Sequence, residues 1–314
     1  MPPKSSSGNH DLLAKMKDIE TRALERSHAR REQATSAPNN PENPSLTNII
    51  KLPLWPDPVR AVPNGFLRSA LFGAIRRGAR RYMRREQIAA LEKIEIYYTG
   101  ERLDQGDLDV WEMLLHITRL QGLGNECRIN AYQLLKKLGK ADTGGNREVL
   151  HIRLMRLKAT AIEIEQGRYG YAGSLIDEVY RDKETQEYVF RANPKLRALF
   201  EPDQFTQIDW AMRRELDGQP LAQWLQGFYA SHAQPYPIKV KTLHELCGSE
   251  TERIDHFREK LRKALDAVTK ASEAQGEKFC YEIREDIVYV EKKPSKTQRR
   301  HLAKKTTKPR KPCD

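Results

Sequence analysis

The chain has 314 residues, of which 39% are hydrophobic, and this length predicts two compact domains with terminal extensions. Its mean hydropathy of −0.74, and the lack of an apolar run of about 18 residues, argue against a membrane-spanning helix. The start of the chain is polar and has no secretory signal pattern, which predicts a cytoplasmic protein. The four cysteines are widely spaced and form no C-x-x-C pair, which argues against a zinc site and a disulfide framework.

The charge of the chain predicts a polyanionic partner such as nucleic acid. Its 55 Lys and Arg residues against 43 Asp and Glu residues give a formal net charge of +12. The surplus is concentrated near the end, because ten basic residues and one acidic residue lie between Lys292 and Asp314. Such a tail can hold phosphates, so specific recognition has to come from patterns inside the body of the chain.

The first segment, residues 1–60, is predicted to be a flexible N-terminal arm. It contains few large apolar side chains, and its Pro/Asn/Ser stretch from Thr35 to Pro44 cannot nucleate a core. Residues 11–33 have a helical composition with alternating charge, which predicts a marginal, solvated helix.

Residues 61–193 form the first predicted domain. Its centre is a helix, a turn and a helix: Asn130 caps the first of these helices, Gly139 ends it, and the second runs from Asn146 to Lys158. The other predicted elements are a strand at 91–98, a helix around 110–115, and β-rich runs at 161–165, 174–180 and 187–191 that form a wing.

Residues 194–292 repeat this plan as the second predicted domain. Gly248 ends a short helix, a turn leads into a long helix from Glu252 to Gln275, and a β hairpin follows. Helices around 196–200, 210–216 and 221–229 come first, and the hairpin strands are 278–283 and 287–290. The repeat predicts an α+β fold of two tandem winged-helix domains, which places the third helix of a domain in a major groove. A disordered basic tail is predicted at 293–314.

The run from Arg76 to Arg85 contains six arginines. At i, i+4 spacing they would cover about half of a helix surface, and their density around a tyrosine favours phosphate contact. Gly78 weakens the helix prediction, and neutralisation by acidic side chains elsewhere is the alternative. The candidates for DNA contact here are Arg76, Arg77, Arg80, Arg81 and Arg84.

The long helix of the second domain is the predicted recognition helix. A helical wheel directs an apolar stripe from Ile254 to Val268 toward the core, so the opposite side is exposed. Arg253 is the preferred base reader, because a guanidinium can contact a guanine edge with two donors. An ordinary solvated helix face is the alternative, which nearby acidic residues support. The candidates for DNA contact on and beside this side are Arg253, His256, Arg258, Lys260 and Lys263.

The equivalent helix of the first domain is less clear as a reader of DNA. Its predicted core positions leave Ile152 and Met155 turned partly away from the core. One interpretation is a protein interface, with Arg147, Arg153 and Arg156 contacting the DNA backbone when that interface is open. The alternative, which is slightly favoured, is that the two apolar residues pack under the wing.

No catalytic motif is present in the sequence. It contains no GxxxxGK[ST] loop for nucleotide hydrolysis and no H-x-H pair for a metal-dependent nicking reaction. His244 and Glu245 begin like a zinc-protease helix, but Gly248 stands where the second histidine would be. These absences predict a binding protein without enzyme activity, cofactor or metal.

Several short motifs, in this order, resemble the TrfA family of plasmid replication initiators. They are Phe66 to Gly73, Tyr97 to Gly100 with Asp109-Val110-Trp111, Tyr171 to Ile176, Leu221 to Leu225 and Phe228 to His232. The resemblance extends from about residue 60 to residue 290. It implies a tandem winged-helix initiator that binds direct repeats (iterons) at an origin, helps to open an adjacent AT-rich segment and recruits host proteins.

The resemblance also implies partners: double-stranded origin DNA, single-stranded AT-rich DNA, the host initiator DnaA, the replicative helicase and the sliding clamp, with a monomer–dimer equilibrium. Lys51 to Trp55 is similar to a Q-L-x-L-F clamp-binding peptide but departs from it at both ends. Leu52, Leu54 and Trp55 are therefore clamp-binding candidates, and a hydrophobic anchor between arm and domain is the alternative.

Two other functions are compatible with the same residues. A winged-helix transcriptional repressor would use the same reading helix without opening an origin. An adaptor protein with an incidental basic face would keep its DNA affinity when Arg253 is replaced by alanine.

Overall fold

The computed structural model describes residues 51–306, except 77, 79, 92, 121–122, 167–168, 183 and 186. Most of the predicted arm, up to residue 50, and the last part of the basic tail, 307–314, lie outside the described residues. Within the described part of the chain, no helix has the length and apolar character that crossing a membrane requires.

Helices and strands alternate along the chain in a mixed α and β structure. The helices are α1 (Asn64–Leu67), α2 (Gln105–Thr118), α3 (Ala131–Lys137), α4 (Gly144–Lys158), α5 (Trp210–Glu215), α6 (Pro220–Ala230), α7 (Val240–Leu246), α8 (Ile254–Ala274) and α9 (Lys296–Thr306), with a 3-10 helix at Pro194–Phe200. The strands are β1 (Val59–Pro63), β2 (Phe72–Gly73), β3 (Tyr82–Gln87), β4 (Ile94–Glu101), β5 (Leu103–Asp104), β6 (Cys127–Asn130), β7 (Ala161–Gln166), β8 (Tyr169–Gly173), β9 (Glu178–Arg181), β10 (Glu187–Arg191), β11 (Phe205–Asp209), β12 (Ile238–Lys239), β13 (Phe279–Arg284) and β14 (Ile287–Lys292).

One arrangement of helices and strands occurs twice. In the first half, α2 is followed by β6, the helix pair α3 and α4, and the strands β9 and β10, which form an antiparallel sheet in the order β6-β10-β9. In the second half, α6 is followed by β12, the helix pair α7 and α8, and the hairpin β13–β14, in the order β12-β14-β13. The last strand is central in both sheets, so the two halves share their strand order. They also share their element order, apart from the hairpin β7–β8, which follows α4 in the first half.

The hairpin β7–β8 has a different place from the predicted one. It joins β3 and β4 in a four-stranded antiparallel sheet in the order β3-β4-β7-β8. Ile162 and Ile164 alternate with exposed residues on β7 and are buried opposite Tyr98 and Ile96 of β4. The prediction that residues 161–165 belong to a wing is therefore wrong, because their apolar face completes this second sheet.

Local signals set the ends of α3 and α4. The Asn130 side chain accepts a hydrogen bond from the backbone N–H of Gln133 at 2.8 Å, which confirms the predicted cap. Gly139 has φ +73° and ends the helix as predicted. The Thr143 hydroxyl accepts from the N–H of Asn146 at 3.2 Å, so α4 begins two residues earlier than the sequence predicts.

The hydrophobic core consists of two clusters whose boundary differs from the predicted domain boundary at 193 and 194. The first cluster includes Leu196, Phe200 and Trp210, and the second begins at Met212. The reason is that β11 pairs with β1 along its whole length, so the chain completes the first half before it enters the second.

Two terminal predictions are wrong within the described residues. Residues 51–60 are part of the fold, since Leu52 and Trp55 are buried and β1 begins at Val59. Residues 296–306 form α9 where a disordered tail was predicted, and the Gln298 amide fixes this helix by donating to the carbonyl of Ala230 at 2.7 Å.

Candidate nucleic-acid interface

Helix α8 buries one apolar side and exposes the other. Phe257, Leu261 and Leu265 have no exposed surface and pack in the second core cluster. Ile254 was placed on this stripe by the sequence, but it is 41% exposed because it is the first helical residue, at the edge of the core. The exposed side carries His256, Lys260 and Lys263.

Arg253 lies at the N-cap position of α8 and forms a local ion pair. Its guanidinium contacts the Asp255 carboxylate with two bonds, Nε to Oδ1 at 3.2 Å and Nη2 to Oδ2 at 2.5 Å. The hydrogen bond with Arg253 lowers the pKa of Asp255 to about 2. Both side chains are exposed, so Arg253 can exchange this carboxylate for an external acceptor at little cost.

Arg258 connects α8 to the tip of the β13–β14 hairpin. Its guanidinium pairs with Asp286, which adopts a positive φ of 66° in the hairpin turn. This pair fixes the hairpin against the helix. Arg258 was a candidate for DNA contact, and the structure gives it a partner within the second half.

Three predicted cations from distant parts of the chain meet at one cleft of about 530 Å³. Arg76 comes from the segment after β2, whereas Lys260 and Lys263 come from α8. The rest of the lining comes from Ala74, Ile75 and Ala264, from the start of α6 and from the turn at 249–251. The Lys260 ammonium donates to the Thr251 hydroxyl at 2.9 Å, which holds it at the cleft.

Arg102, a residue without a predicted role, joins the first half to the turn before α8. Its guanidinium donates to the Gly248 carbonyl at 2.7 Å and to the Glu250 carboxylate at 2.8 Å. The sequence gives no signal for this contact, because the partners are 146 and 148 positions away.

The arginine run from Arg76 to Arg85 is not a helix. Gly78 has φ +139°, Arg85 has φ +48°, and β3 contains a register shift between Met83 and Glu86. Pairing with β4 extends the second part of the run as a strand.

The arginine side chains of this run therefore do not share one helix face, and their environments differ. Arg76, Arg81 and Arg84 are exposed, and Arg81 pairs with Glu86 at 2.6 Å. The Arg80 side chain is buried against Asp104, so its predicted phosphate contact is wrong. Arg77 lies outside the described residues.

The arginines of α4 do not form a common surface. Arg147 is exposed and pairs with Asp142 at 2.6 Å. Arg153 is buried, with its guanidinium 2.6 Å from Asp104 and 3.0 Å from Asp107. Arg156 pairs with Asp107 at 2.8 Å, and its side chain is 10% exposed. The predictions of DNA contact for Arg153 and Arg156 are therefore wrong, because both guanidinium groups neutralise buried carboxylates.

Burial and the neighbouring arginines have opposite effects on the pKa values of Asp104 and Asp107. Burial raises the pKa of Asp107 to about 6, and the neighbouring Asp104 carboxylate adds to the rise. Burial also acts to raise the pKa of Asp104, but Arg153 and Arg80 outweigh it and hold that pKa well below its usual range. The two acids also form the capping box of α2.

The outer side of α4 is apolar. Val149, Ile152 and Met155 are exposed large hydrophobic residues spaced three apart on this helix. The interpretation that Ile152 and Met155 pack under a wing is wrong, because both side chains are exposed, Ile152 at 44% and Met155 at 36%. We call these three residues the α4 stripe.

The clamp-peptide candidates lie against the first core cluster. Leu52 and Trp55 are buried, and Leu54 is 74% exposed. The Trp55 indole N–H donates to His116 Nδ1 at 3.0 Å, and burial lowers the pKa of His116 to about 4. A neutral imidazole can accept this hydrogen bond, so the segment matches the alternative interpretation of a hydrophobic anchor.

No group of His, Cys, Asp and Glu side chains within the described residues could hold a metal ion. The candidate interface consists of an exposed cationic side of α8, a cleft with three cations and, on the other half, the apolar α4 stripe.

Two similar halves, each with a helix pair next to a three-stranded sheet, define an α+β protein with an internal structural repeat. The family model described as TrfA protein matches residues 43–289, and this chain belongs to that family. It is 30% identical over 227 residues to the Escherichia coli plasmid replication initiator protein TrfA, an alignment that covers 70% of this chain. The chain spans 59% of the length of that relative.

Solved structures with a similar arrangement include two of a protein named RctB. A structure of its domains 2 and 3, as selenomethionine derivatives, aligns at 12% identity with a TM-score of 0.49 and covers 74% of this chain and 96% of that chain. A second structure of domains 2–3 aligns at 12% identity with a TM-score of 0.47 and covers 73% of this chain and 96% of that chain.

Proposed function

We propose that this protein is a plasmid replication initiator that binds direct repeats (iterons) at its origin, promotes opening of the adjacent AT-rich DNA and recruits host replication proteins. Membership of the TrfA family and the name of the Escherichia coli relative support this proposal. In it, each half is a winged-helix domain, α8 is the recognition helix of the second domain, and β13–β14 is its wing.

The observation that carries the proposal is the exposed side of α8. Its core side is fully buried, so His256, Lys260 and Lys263 lie on the exposed side of the helix, where Lys260 and Lys263 line the cleft, and Arg253 lies at the N-terminus of the helix. In winged-helix and related domains, this part of the recognition helix contacts base edges in the major groove. Cations here can read guanine and hold phosphates.

The α4 stripe supports different roles for the two halves. Three exposed apolar side chains on the outer side of a helix are unsuited to phosphate contact and suited to protein contact. We propose that the second domain reads DNA and that the α4 stripe takes part in a monomer–dimer equilibrium.

The proposal treats the protein as a cytoplasmic binding protein without enzyme activity or cofactor. Its proposed partners are duplex origin DNA, single-stranded AT-rich DNA, DnaA, the replicative helicase and the sliding clamp. Clamp binding through Leu52 and Trp55 requires the 51–57 segment to leave the core, since both side chains are buried against it.

Binding of the purified full chain to duplex with direct repeats from its own replicon, compared with scrambled duplex across a salt series, tests the proposal. Arg253→Ala is expected to weaken binding to the repeats by about 1–3 kcal/mol and to relax specificity at one position. Lys270→Ala is the matched control, because Lys270 is an exposed cation of α8 outside the cleft.

Permanganate footprinting of the neighbouring AT-rich DNA completes the test. New reactivity on specific binding supports an initiator, whereas specific binding without opening favours a repressor. Equal binding to repeats and scrambled duplex contradicts both functions.

A further inference from the structure

The cleft beside α8 is built by both halves of the protein. Residues 74–76 of the first half form one wall, and α8 with the turn at 249–251 forms the opposite wall. The first turn of α6 closes the end. A ligand in this cleft would contact both halves at once.

The charge of the cleft is positive. Arg76, Lys260 and Lys263 line it together with one carboxylate, Glu250, which Arg102 neutralises at 2.8 Å. Helix α6 begins at the cleft, and the Gln219 side chain does not cap it. The positive end of this helix therefore adds to the attraction for an anion.

The walls of the cleft are fixed before any ligand binds. The N–H of Ala74 donates to the carbonyl of Cys247 at 2.7 Å, and Arg102 donates to the carbonyl of Gly248 at 2.7 Å. Gly248 has φ +60°, and a Cβ atom there would lie 2.7 Å from the Arg102 guanidinium. Only glycine leaves room for this approach, and the two hydrogen bonds hold the turn before α8 against the first half.

We propose that the cleft binds one phosphodiester group of the duplex backbone, with its sugar, next to the bases that α8 reads. Arg76 supplies a planar two-donor contact, and Lys260 and Lys263 supply point charges. The apolar side chains of Leu221 and Ala264 line the space for the sugar. Arg76 of the first half is thus part of the DNA site of the second half, and Arg102 is a positioning residue for it. This inference rests on the proposed function.

A methylphosphonate scan tests the site. Each phosphate of a repeat-containing duplex is replaced in turn by its neutral methylphosphonate, and binding is measured for the full-length wild type, Arg76→Ala, Lys263→Ala and Lys270→Ala. In the wild type and in Lys270→Ala, one replacement is expected to weaken binding ~10-fold. In Arg76→Ala and Lys263→Ala, the same replacement is expected to have a much smaller effect, because the contact is already weakened.

The salt dependence gives a second measurement on the same variants. For Arg76→Ala, the slope of log K against log salt is expected to become shallower by about 0.9, with an unchanged preference for repeats over scrambled duplex. Arg102 does not contact DNA in this proposal, but Arg102→Ala is expected to reduce the loss of binding caused by the same methylphosphonate, because the turn before α8 is no longer held in place. Arg102→Lys is expected to recover part of that loss relative to Arg102→Ala.

The inference is overturned if no single methylphosphonate distinguishes the wild type from Arg76→Ala. It is also overturned if inorganic phosphate binds at the cleft while no methylphosphonate replacement changes the affinity for duplex. That result would mean that the cleft binds free phosphate. If the wild type shows no preference for the repeats, the proposed function is contradicted instead. The salt slope of Arg76→Ala on scrambled duplex then still tests whether the cleft binds a backbone phosphate, because a slope equal to that of the wild type would contradict it.

Discussion

Arg153 holds two buried carboxylates, those of Asp104 and Asp107, at the start of α2. Its removal leaves buried negative charge without its main partner. We expect Arg153→Met to lower the free energy of unfolding by about 3–5 kcal/mol, measured by urea denaturation. The control is Arg147→Met, whose ion pair is exposed, with an expected change below about 1 kcal/mol. Equal losses in the two variants would contradict the buried role of Arg153.

Glu112 is a fully buried acid on α2 whose Oε1 lies 2.7 Å from the Arg213 guanidinium. Burial raises the pKa of Glu112 to about 8, and although Arg213 opposes this, Asp109 adds to the rise. Between about pH 4.5 and 8 the folded protein holds a proton that the unfolded chain has lost, so this group makes stability fall as pH rises.

We expect Glu112→Gln to flatten that part of the stability profile, because the amide does not titrate. Thermal unfolding at a series of pH values is the measurement, and an unchanged slope from pH 5 to 8 would contradict the assignment.

The sequence identified the exposed cations of α8 because helical periodicity separates a core side from a solvent side. It failed for Arg80, Arg153 and Arg156, because the acids that neutralise them lie 24 to 55 positions away in the chain. The sequence around an arginine does not show whether a carboxylate far away in the chain forms an ion pair with it.

At the scale of elements, the segment at 51–57 is an anchor. The Trp55 ring stacks on Phe200 with centroids 6.2 Å apart, and its N–H is bonded to His116. We expect Trp55→Ala to lower the free energy of unfolding by about 3–5 kcal/mol. Leu54→Ala, at an exposed neighbouring position, is the control and is expected to change it by less than about 0.5 kcal/mol. Denaturant unfolding measures both changes, and a larger loss of stability in Leu54→Ala than in Trp55→Ala would show that the segment does not pack on the core.

The α4 stripe makes a prediction about self-association. We expect Ile152→Glu to shift the proposed equilibrium toward the monomer, because a charge in the middle of an apolar contact remains unpaired. Sedimentation velocity measures the change, and unfolding by urea, expected to stay within about 0.5 kcal/mol, shows that the fold is intact. An unaltered dimer fraction would exclude the stripe from the contact.

Elements with local signals were predictable, and those that depend on distant pairing were not. The cap at Asn130 and the stop at Gly139 lie in the sequence next to the helix they delimit. The place of β7 depends on its pairing with β4, more than 60 positions earlier, which periodicity does not encode. The same limit explains the arginine run, whose strand pairing overrides its helical spacing.

At the scale of the whole molecule, the excess positive charge lies partly on α9. Lys296, Arg299 and Arg300 are exposed on this helix. We expect their joint replacement by glutamine to weaken binding to repeats and to scrambled duplex by the same factor, because they would contact phosphates and no bases. Fluorescence anisotropy across a salt series is the measurement. The Gln298 contact remains intact in this variant, so a selective loss on repeats would contradict a purely electrostatic role.

The pairing of β1 with β11 has a consequence for synthesis on the ribosome. Residues 59–63 leave the exit tunnel early, but their partners at 205–209 emerge only after about 140 further residues have been added. Until then the nascent first half carries an unpaired strand edge, which is a site for pairing with another nascent chain. On a polysome translating this message, faster elongation through residue 209 would therefore shorten the time during which neighbouring nascent chains can pair through this edge.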